Sequence, residues 1–306
     1  MDSIDIIAPF HVLRGDNWHA IDLYLNLLNK VDSKSAPRLW SMRQAHPEYA
    51  NGYPIHAIRP FNGEIPTANR LVILGPSVDI GNWYEHNKAE QVVLIYNELE
   101  SRLLFQALNR LYRASQVITI HYATQALKDA TGLPGEVVMP AFNADRFMSH
   151  LTSSRASKSF GFKIGRTSRD ILLKHHFRDP ALYKRLVVEG FTIEIAGGTC
   201  LSSQLVNTDN INLLPVLPQK HLPDFLSNLD CFFYRTSPSN RGEVDRVILE
   251  AMAYGLPVVV ENREAYIELI DSGNNGFLFT SEEEAIDQLR SLRDIAALRT
   301  KLSSKA

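Results

Sequence analysis

The chain has 306 residues, of which 45% are hydrophobic and 22% are charged, a composition typical of a globular protein of about two domains. The net charge is −2, with 13 basic and 15 acidic residues in the first 154 positions and 19 of each in the remainder. Neither half has the basic surplus of a nucleic-acid-binding protein, so we expect no nucleic-acid partner. Two cysteines without metal-ligand spacing exclude a disulfide framework.

The sequence carries no signal for membrane insertion or secretion. No stretch approaches eighteen consecutive apolar residues, which a membrane-spanning helix would need. The first ten residues, MDSIDIIAPF, contain two acids and lack the basic start of a secretory signal. We therefore predict a cytoplasmic protein.

Short apolar, β-branched runs recur along the whole chain and predict strands. Most are continuous rather than alternating, which is typical of strands buried on both faces of a parallel sheet. The runs are Ile4–Ala8, Leu71–Leu74, Val92–Tyr96, Val117–His121, Val137–Met139, Phe160–Ile164, Thr192–Ala196, Ile211–Leu214, Cys231–Tyr234, Pro257–Val260 and Phe277–Phe279.

Helical patterns lie between many of these runs. Ala20–Val31 and Glu98–Ala114 place apolar residues at helical spacing, and Asp179–Glu189 begins with a capping Asp followed by Pro180. Strands that alternate with helices form βαβ units, and doubly wound parallel sheets are the usual result. The polar segment His150–Ser159 interrupts this alternation and predicts an interdomain linker.

The predicted organisation is therefore α/β, with two Rossmann-like domains, residues 1–152 and 153–306, whose parallel sheets face each other across a cleft. Ligands of such folds bind at the carboxyl ends of the strands. The fingerprints of nicotinamide dehydrogenases, P-loop nucleotidases and α/β-hydrolases are absent from the sequence. There is also no D-x-D pair and no His/Cys cluster with metal-ligand spacing, so we expect chemistry without a metal.

The most informative segment is Gly242–Phe277. Within it, Asp245–Tyr254 predicts a short helix that ends at a glycine. The unpaired N–H groups at the start of this helix, after residues 242–244, form an anion site suited to phosphate. Glu250 lies about one and a half turns further on, where a carboxylate can accept hydrogen bonds from a ribose diol. A solvated glutamate on a capped surface helix is the alternative interpretation.

Two stretches in this segment, ILEAMAYGLPVV and ELIDSGNNGFLF, resemble the donor-binding segment of GT-B glycosyltransferases, specifically glycosyltransferase family four. The resemblance runs through the C-terminal half and is weaker in the first half. It implies the GT-B fold and a retaining, metal-independent transfer of a sugar, expected to be a hexose, from a nucleotide-diphosphate sugar. The acceptor would be a hydroxyl of a glycan, lipid-linked or other molecule. The nucleotide sugar is a co-substrate, so no cofactor is implied.

On this resemblance, Glu250 is the second glutamate of the family motif and holds the nucleotide ribose. The first motif glutamate falls at Gly242, where this chain has glycine followed by Glu243. We assign Glu243 a catalytic role through a shifted loop. We assign Gly242 and Val244 to donor binding.

A second match is FKIGRTSRDILLK, Phe162–Lys174, where the family places an Arg and a Lys after a strand. We assign Arg166 and Lys174 as the catalytic cations, because fixed positive charge stabilises a departing nucleoside diphosphate. Gly165 and Arg169 are assigned to donor binding. The family spacing is tighter than that between Arg166 and Lys174, so Arg169 is the alternative partner of Arg166.

The first half offers fewer candidates. Gly15 lies in a loop that approaches the donor phosphates in the family, and glycine allows a close backbone approach. Asn97 ends a predicted strand near the place where many family members carry a histidine that contacts the transferred sugar. Arg102, Arg110 and Arg113 share one side of a predicted helix. Peripheral contact with a lipid headgroup therefore stays open beside an ordinary solvated face.

Two other functions are compatible with these residues. The altered first glutamate fits a non-catalytic nucleotide-sugar-binding module, and the GT-B resemblance also fits a nucleotide-sugar epimerase. Turnover of a labelled donor separates the three hypotheses. The resemblance implies a further helix that returns to the first domain, whereas this chain ends soon after one acidic-to-basic helix. We expect a compact family member or a shortened chain.

Overall fold

The structure is a computed structural model. It describes residues 3–13, 15–30, 36–75, 83–98, 101–112, 117–148, 161–206, 208–240 and 244–305. The chain divides into two compact units. Unit 1 is Met1–Asn143 with Gly242–Val244, and unit 2 is Ala144–Arg241 with Asp245–Ala306. The boundary predicted at residue 152 and the whole of the predicted linker fall in 149–160, outside the described residues.

Unit 1 is built on a parallel sheet. Its strands are β1 (Ile4–Ile7), β2 (Arg38–Ser41), β3 (Ile55–Ala57), β4 (Arg70–Leu74), β5 (Gln91–Tyr96), β6 (Val117–Tyr122) and β7 (Glu136–Val137). They lie in the order β3-β2-β1-β4-β5-β6-β7, and every pairing is parallel. The helices are α1 (Asn17–Leu28), α2 (Pro47–Ala50), α3 (Ser101–Tyr112) and α4 (Gln125–Thr131).

Unit 2 repeats this plan. Its strands are β8 (Phe162–Thr167), β9 (Phe191–Ala196), β10 (Ile211–Leu214), β11 (Cys231–Tyr234), β12 (Val258–Glu261) and β13 (Phe277–Phe279). They lie in the order β10-β9-β8-β11-β12-β13, again all parallel. The helices are α5 (Asp145–Met148), α6 (Asp179–Val188), α7 (Leu222–Ser227), α8 (Arg246–Ala253), α9 (Glu264–Ile267), α10 (Glu282–Asp294) and α11 (Ala296–Ser303).

Continuous apolar runs form the centres of both sheets. All four residues of β11 are buried, as expected for a strand covered on both faces. Unit 2 packs Ile164, Leu186 and Leu289 into one hydrophobic cluster. Unit 1 packs Ile6, Ile21 and other residues into its own cluster. Each unit therefore has a separate core.

The predicted helix-end signals are confirmed at Pro180 and Gly255, whereas Asp179, predicted as a cap, is the first residue of α6, and Arg178 stands at the cap position without a side-chain capping hydrogen bond. Pro180 stands in the first turn of α6, where its missing N–H leaves no hydrogen bond unmade. Gly255 follows α8 with φ +71°, a left-handed conformation that glycine adopts without strain. Ser281 precedes α10 and its hydroxyl accepts a hydrogen bond from the Glu284 N–H at 3.1 Å, which satisfies a donor in the first turn.

The structure differs from the sequence prediction at the edge of the first sheet and at the C-terminal helix, and the short helices α2 and α4 were not predicted either. The strands β2 and β3 were not predicted, because they contain only four and three residues and carry little apolar pattern. They are formed by parallel pairing with β1 and with each other. The single C-terminal helix predicted from charge is two helices, α10 and α11, since Ile295 between them has an extended backbone.

Both sheets have the same strand order, except that unit 1 has β7 as an additional edge strand. In each sheet the first strands of the chain are added on one side of β1 or β8, and the later strands are added on the other side. The order up to β6 in unit 1 and across all of unit 2 is that of a Rossmann fold. The predicted α/β class with two Rossmann-like halves is thus confirmed. The reversal points lie between β1 and β4 and between β8 and β11. Ligands of doubly wound sheets bind outside the carboxyl ends of the strands at such points.

Candidate functional site

The carboxyl ends of β8 and β11 carry the main site of unit 2. Two loops leave this edge, one running from Ser168 to Lys174 and the other from Arg235 to Asp245. The first ends in a 3₁₀ turn, Leu172–Lys174, and the second leads into α8. The predicted donor residues Arg166, Arg169 and Lys174 are therefore placed around one sheet edge.

Lys174 lies at the start of α8. Its ammonium is 2.7 Å from Oδ1 of Asp245, the residue just before this eight-residue helix, and its side chain is almost fully buried. Tyr266 donates its hydroxyl to the other Asp245 oxygen at 2.5 Å. The structure thus combines a fixed cation with a helix N-terminus, two features that favour an anion, and the Asp245 carboxylate is the anion that they hold here.

The Asp245 carboxylate stays ionised in this setting. Burial raises its pKa, but the Lys174 ammonium and the hydrogen bonds from Lys174 and Tyr266 more than offset burial, so the net pKa lies below its usual range. Burial and the same carboxylate raise the pKa of the Tyr266 hydroxyl well above its usual value. Tyr266 therefore remains a neutral donor to Asp245.

Arg166 has a different environment from the one expected. Only 1% of it is exposed, and its guanidinium donates to the backbone carbonyls of Lys174 and, at 2.6 Å, of Arg235. It also pairs with Asp179 at 3.4 Å and lies 4.5 Å from the centre of the Tyr234 ring. The Arg166 side chain therefore hydrogen-bonds to the backbone of both loops and holds them together. Arg169, by contrast, is exposed.

Glu250 lies on α8 and is buried. Its Oε1 accepts hydrogen bonds from Arg246 Nε at 2.9 Å and from Gln219 Nε2 at 3.1 Å. Gln219 begins the 3₁₀ turn Gln219–His221, which follows β10. Sequence analysis missed Gln219, because a single glutamine in a polar loop carries no motif.

Glycines shape this edge of the sheet. A Cβ on Gly165 would lie 2.4 Å from the end of the Leu229 side chain and 3.0 Å from the Glu194 carbonyl oxygen, so a larger residue in β8 would displace Leu229. Gly197, after β9, has φ +74°, and a Cβ there would lie 1.9 Å from the Ser168 carbonyl oxygen. Sequence analysis did not single out Gly197, although two consecutive glycines after an apolar run were a visible signal of close backbone approach.

Unit 1 has a smaller site at its own reversal point. A cavity of about 30 Å³, large enough for a water molecule, is lined by Pro9, Asp16, Asn17, His19, Leu74, Gly75, Ile95, Asn97, Glu98 and Pro140. Asn97 is 7% exposed. Its Oδ1 accepts a hydrogen bond from the Val244 N–H at 3.4 Å. Its Nδ2 is buried without a hydrogen-bond partner among the described residues.

The remaining predicted residues are less constrained. Gly15 is exposed, and a Cβ added there would meet no atom within 4 Å, so the protein itself does not require glycine. Gly242 and Glu243 lie outside the described residues, as does Arg113. No group of three His, Cys, Asp or Glu within the described ranges could hold a metal ion.

Comparisons with known proteins address the class of the chain. Residues 185–306 match the sequence model of the family "Glycosyl transferases group 1". No curated protein matches the chain in sequence. In the part of the chain that the structure describes, no helix is both long and apolar enough to cross a bilayer.

Solved glycosyltransferases share the fold over the whole chain. Anabaena HepE in complex with UDP-glucose has a TM-score of 0.72 at 15% identity, with 100% of this chain and 93% of HepE covered. Sucrose-phosphate synthase from Thermosynechococcus elongatus has a TM-score of 0.73 at 10% identity, with 100% and 93% covered. An α-glucosyltransferase in complex with UDP and DNA has a TM-score of 0.72 at 11% identity, with 100% and 95% covered.

The chain has the fold of GT-B glycosyltransferases, as the sequence resemblance predicted, and its residues 185–306 are similar to group 1 glycosyl transferases. The match to group 1 glycosyl transferases covers most of unit 2, the unit that holds Lys174, Asp245 and Glu250.

Proposed function

We propose that the protein transfers a sugar from a nucleoside-diphosphate sugar to an acceptor hydroxyl, and that unit 2 holds the nucleotide. The observation that carries this proposal is the position of Lys174 at the start of α8, with Glu250 further along the same helix. A diphosphate requires fixed cations and N–H donors, and a ribose diol requires a carboxylate. The helix α8 offers the diphosphate a site at its start and the ribose the carboxylate of Glu250.

The residues take distinct roles in this proposal. Lys174 and the exposed Arg169 neutralise the diphosphate, and the α8 N–H groups donate to it. Glu250 accepts hydrogen bonds from the ribose diol. The Arg166 guanidinium donates to the carbonyls of Lys174 and Arg235, so we assign it to holding Lys174 in place rather than to touching phosphate. Gly165 belongs with it as a packing residue.

The proposed reaction needs no protein nucleophile. The bond between the anomeric carbon and the diphosphate oxygen breaks, and the acceptor oxygen attacks from the same face. The acceptor proton passes to the departing phosphate, and the configuration is retained. The charge that develops on the leaving group is stabilised by Lys174 and Arg169. Glu243 and Gly242, outside the described residues, remain candidates for contacts with the donor.

Unit 1 is proposed to contact the transferred sugar. Asn97 carries a buried amide N–H that finds no hydrogen-bond partner among the described residues, and it lines the small cavity at the end of β5. A sugar hydroxyl or a water is the kind of acceptor that such a donor requires, because a buried unpaired N–H costs about 1–3 kcal/mol. The acceptor substrate, whether glycan or lipid-linked, and the cytoplasmic location stay predictions.

The proposal is tested by calorimetry followed by turnover. UDP is the first probe, because HepE and the α-glucosyltransferase, which share the fold, are described in complex with UDP or UDP-glucose; ADP and GDP are the comparisons. We expect one nucleoside diphosphate to bind, and its sugar conjugate to be consumed by transfer or slow hydrolysis. NMR of the product anomer reports retention, and excess EDTA should leave the rate unchanged.

Three outcomes would contradict parts of the proposal. Binding without any turnover points to the module, and an isomeric donor points to the epimerase. Loss of the rate in EDTA with recovery in manganese would overturn the metal-free mechanism.

A further inference from the structure

Arg263, in the turn between β12 and α9, directs its guanidinium at one loop. Nη2 donates to the Thr236 carbonyl at 2.6 Å, and Nη1 donates to the carbonyls of Ser237 at 3.0 Å and Asn240 at 2.9 Å. Nη1 also reaches the Thr236 hydroxyl at 2.9 Å. Nε donates to Glu261 at 2.5 Å, which orients the planar group. One side chain thus hydrogen-bonds to both ends of residues 236–240 and holds them as a closed loop.

The closed segment follows β11 and leads into residues 242–244 and α8. Within it, the Asn240 N–H donates to the Ser237 carbonyl at 2.9 Å, and Asn240 Nδ2 donates to the Thr236 hydroxyl at 3.3 Å. The Ser237 N–H donates to the Leu173 carbonyl at 3.2 Å. This last bond joins the segment to the 3₁₀ turn that carries Lys174.

We propose that Arg263 is a positioning residue for sugar transfer, a role that rests on the function proposed above. The ammonium of Lys174 meets Asp245 at the start of α8. Its place relative to that helix depends on the loops that follow β8 and β11. Arg263 fixes the second loop at three carbonyls and, through Ser237, braces the first. Loss of this clamp lets the cation and the helix start move apart.

The chemistry of the clamp requires arginine. Three carbonyls on one loop are reached by one rigid, planar fork, whereas the lysine ammonium is a compact group on a flexible stem. Arg263→Lys therefore keeps the positive charge beside Glu261 but loses most of the hydrogen bonds to residues 236–240. A displacement of about 1 Å at a reacting centre can lower a rate by about 100-fold.

The experiment compares Arg263→Met and Arg263→Lys with a matched control, Arg293→Met. Arg293 also holds a backbone carbonyl, that of Glu189 at 2.7 Å, but it does so before β9 at the amino edge of the same sheet. Each variant is assayed for thermal midpoint, kcat, donor KM and UDP affinity. Hydrogen exchange is followed at the Ser237 and Asn240 amides.

We expect both Arg263 variants to exchange faster at these amides and to lose at least about tenfold in kcat, with a smaller change in UDP affinity. Arg293→Met should lower the thermal midpoint by a similar amount and keep kcat within about twofold. Unchanged kcat in a folded Arg263→Met protein overturns the proposal, and so does an equal loss of kcat in Arg293→Met. If wild-type protein neither binds UDP nor turns over any donor, the proposed function fails instead, and Arg263 is then a structural clamp only.

Discussion

Buried charges around the candidate site are paired with opposite charges. Arg166 and Arg235 share Asp179, Arg235 also contacts Glu282 at 3.2 Å, and Lys174 pairs with Asp245. Removing one partner of such a pair leaves an uncompensated charge and commonly costs about 3–5 kcal/mol. A loss of activity in any of these variants must therefore be separated from a loss of the fold.

Glu250 is the first residue to test. Glu250→Gln keeps the shape of the side chain and its contact with Arg246 but removes the negative charge. We expect UDP affinity to fall about 10- to 100-fold, because a hydrogen bond to a charged group contributes about 1.5–3 kcal/mol. Calorimetry measures the affinity. The variant also leaves the buried Arg246 without its carboxylate, so the thermal midpoint should fall, and binding is measured well below that midpoint where the protein is folded.

The control for this test is the exposed Glu283→Gln on α10, which should leave UDP affinity unchanged. Unaltered affinity in Glu250→Gln, together with a lowered midpoint, would assign Glu250 a purely structural role with Arg246 and Gln219.

The two candidate cations, Lys174 and Arg169, differ in burial, and this difference separates their effects. Lys174→Met should lower kcat by about 10²- to 10³-fold, the usual cost of one fixed contact to developing charge. It also leaves Asp245 unpaired, so stability should fall. Arg169→Ala should lower kcat without a change of stability, because that side chain is exposed.

The double variant Lys174→Met/Asp245→Asn separates the effect of the lost Lys174 charge on catalysis from its effect on stability. We expect it to recover much of the stability while kcat stays low. Recovery of kcat along with stability would show that Lys174 acts through folding. Arg166→Met should lower the unfolding free energy first, and full stability with lost phosphate binding in that variant would return Arg166 to the ligand site.

The segment after β9 approaches the loop after β8 closely at Gly197. Gly197→Ala would place a Cβ 1.9 Å from the Ser168 carbonyl, at a residue with φ +74°. Gly190→Ala is the matched control, since Gly190 has φ +87° and open space around the added Cβ. The control should cost about 1 kcal/mol from backbone strain alone.

We expect Gly197→Ala to cost at least about 2 kcal/mol more than Gly190→Ala, because backbone must move to relieve the contact. Urea unfolding measures both values. Equal costs would mean that the loop after β8 yields easily, and the rigid placement of residues 168–174 would lose its support.

At the scale of the molecule, the unfolding of unit 1 can be followed separately from that of unit 2. All three tryptophans, Trp18, Trp40 and Trp83, lie in unit 1, so tryptophan fluorescence follows that unit, whereas calorimetry follows both. Each unit has its own hydrophobic cluster. A destabilising change in unit 2 can therefore be detected apart from unit 1.

Acid should destabilise unit 2 through His175. Burial and the neighbouring Arg166 lower the pKa of this imidazole to about 4 from 6.5, and the ring lies 2.9 Å from the Gly197 carbonyl. The folded state excludes a proton that the unfolded state binds below pH 6.5. Stability is therefore complete above that pH and falls as the pH drops towards 4, by about 3 kcal/mol in all.

His175→Gln should flatten this acid dependence, measured by calorimetry between pH 7 and pH 4.5, with the tryptophan signal of unit 1 unchanged. The exposed His221→Gln serves as control. An acid response of His175→Gln identical to that of the wild type would show that other groups dominate.

Much of this protein is determined by sequence patterns that act locally. The continuous apolar runs became β1, β4, β5, β6 and nearly all of the second sheet, because burial on both faces selects such runs in any parallel sheet. Pro180 and Gly255 marked helix ends through backbone conformations that only these residues adopt easily. The segment around Glu250 on α8 predicted the GT-B fold, since its residues are contiguous in sequence.

Tertiary structure decided what depends on distant partners. The short strands β2 and β3 form because β1 offers a partner edge, and their own residues carry little pattern. Arg166 and Lys174 are two cations of one motif in the sequence, yet in the structure Arg166 is held by Asp179 and the Tyr234 ring, whereas Lys174 is held by Asp245 at the start of α8. Likewise, the clamp of Arg263 on residues 236–240 joins side chain and carbonyls across more than twenty residues. Such contacts leave no periodicity in the chain, because their geometry exists only after the sheet has brought the loops to one edge.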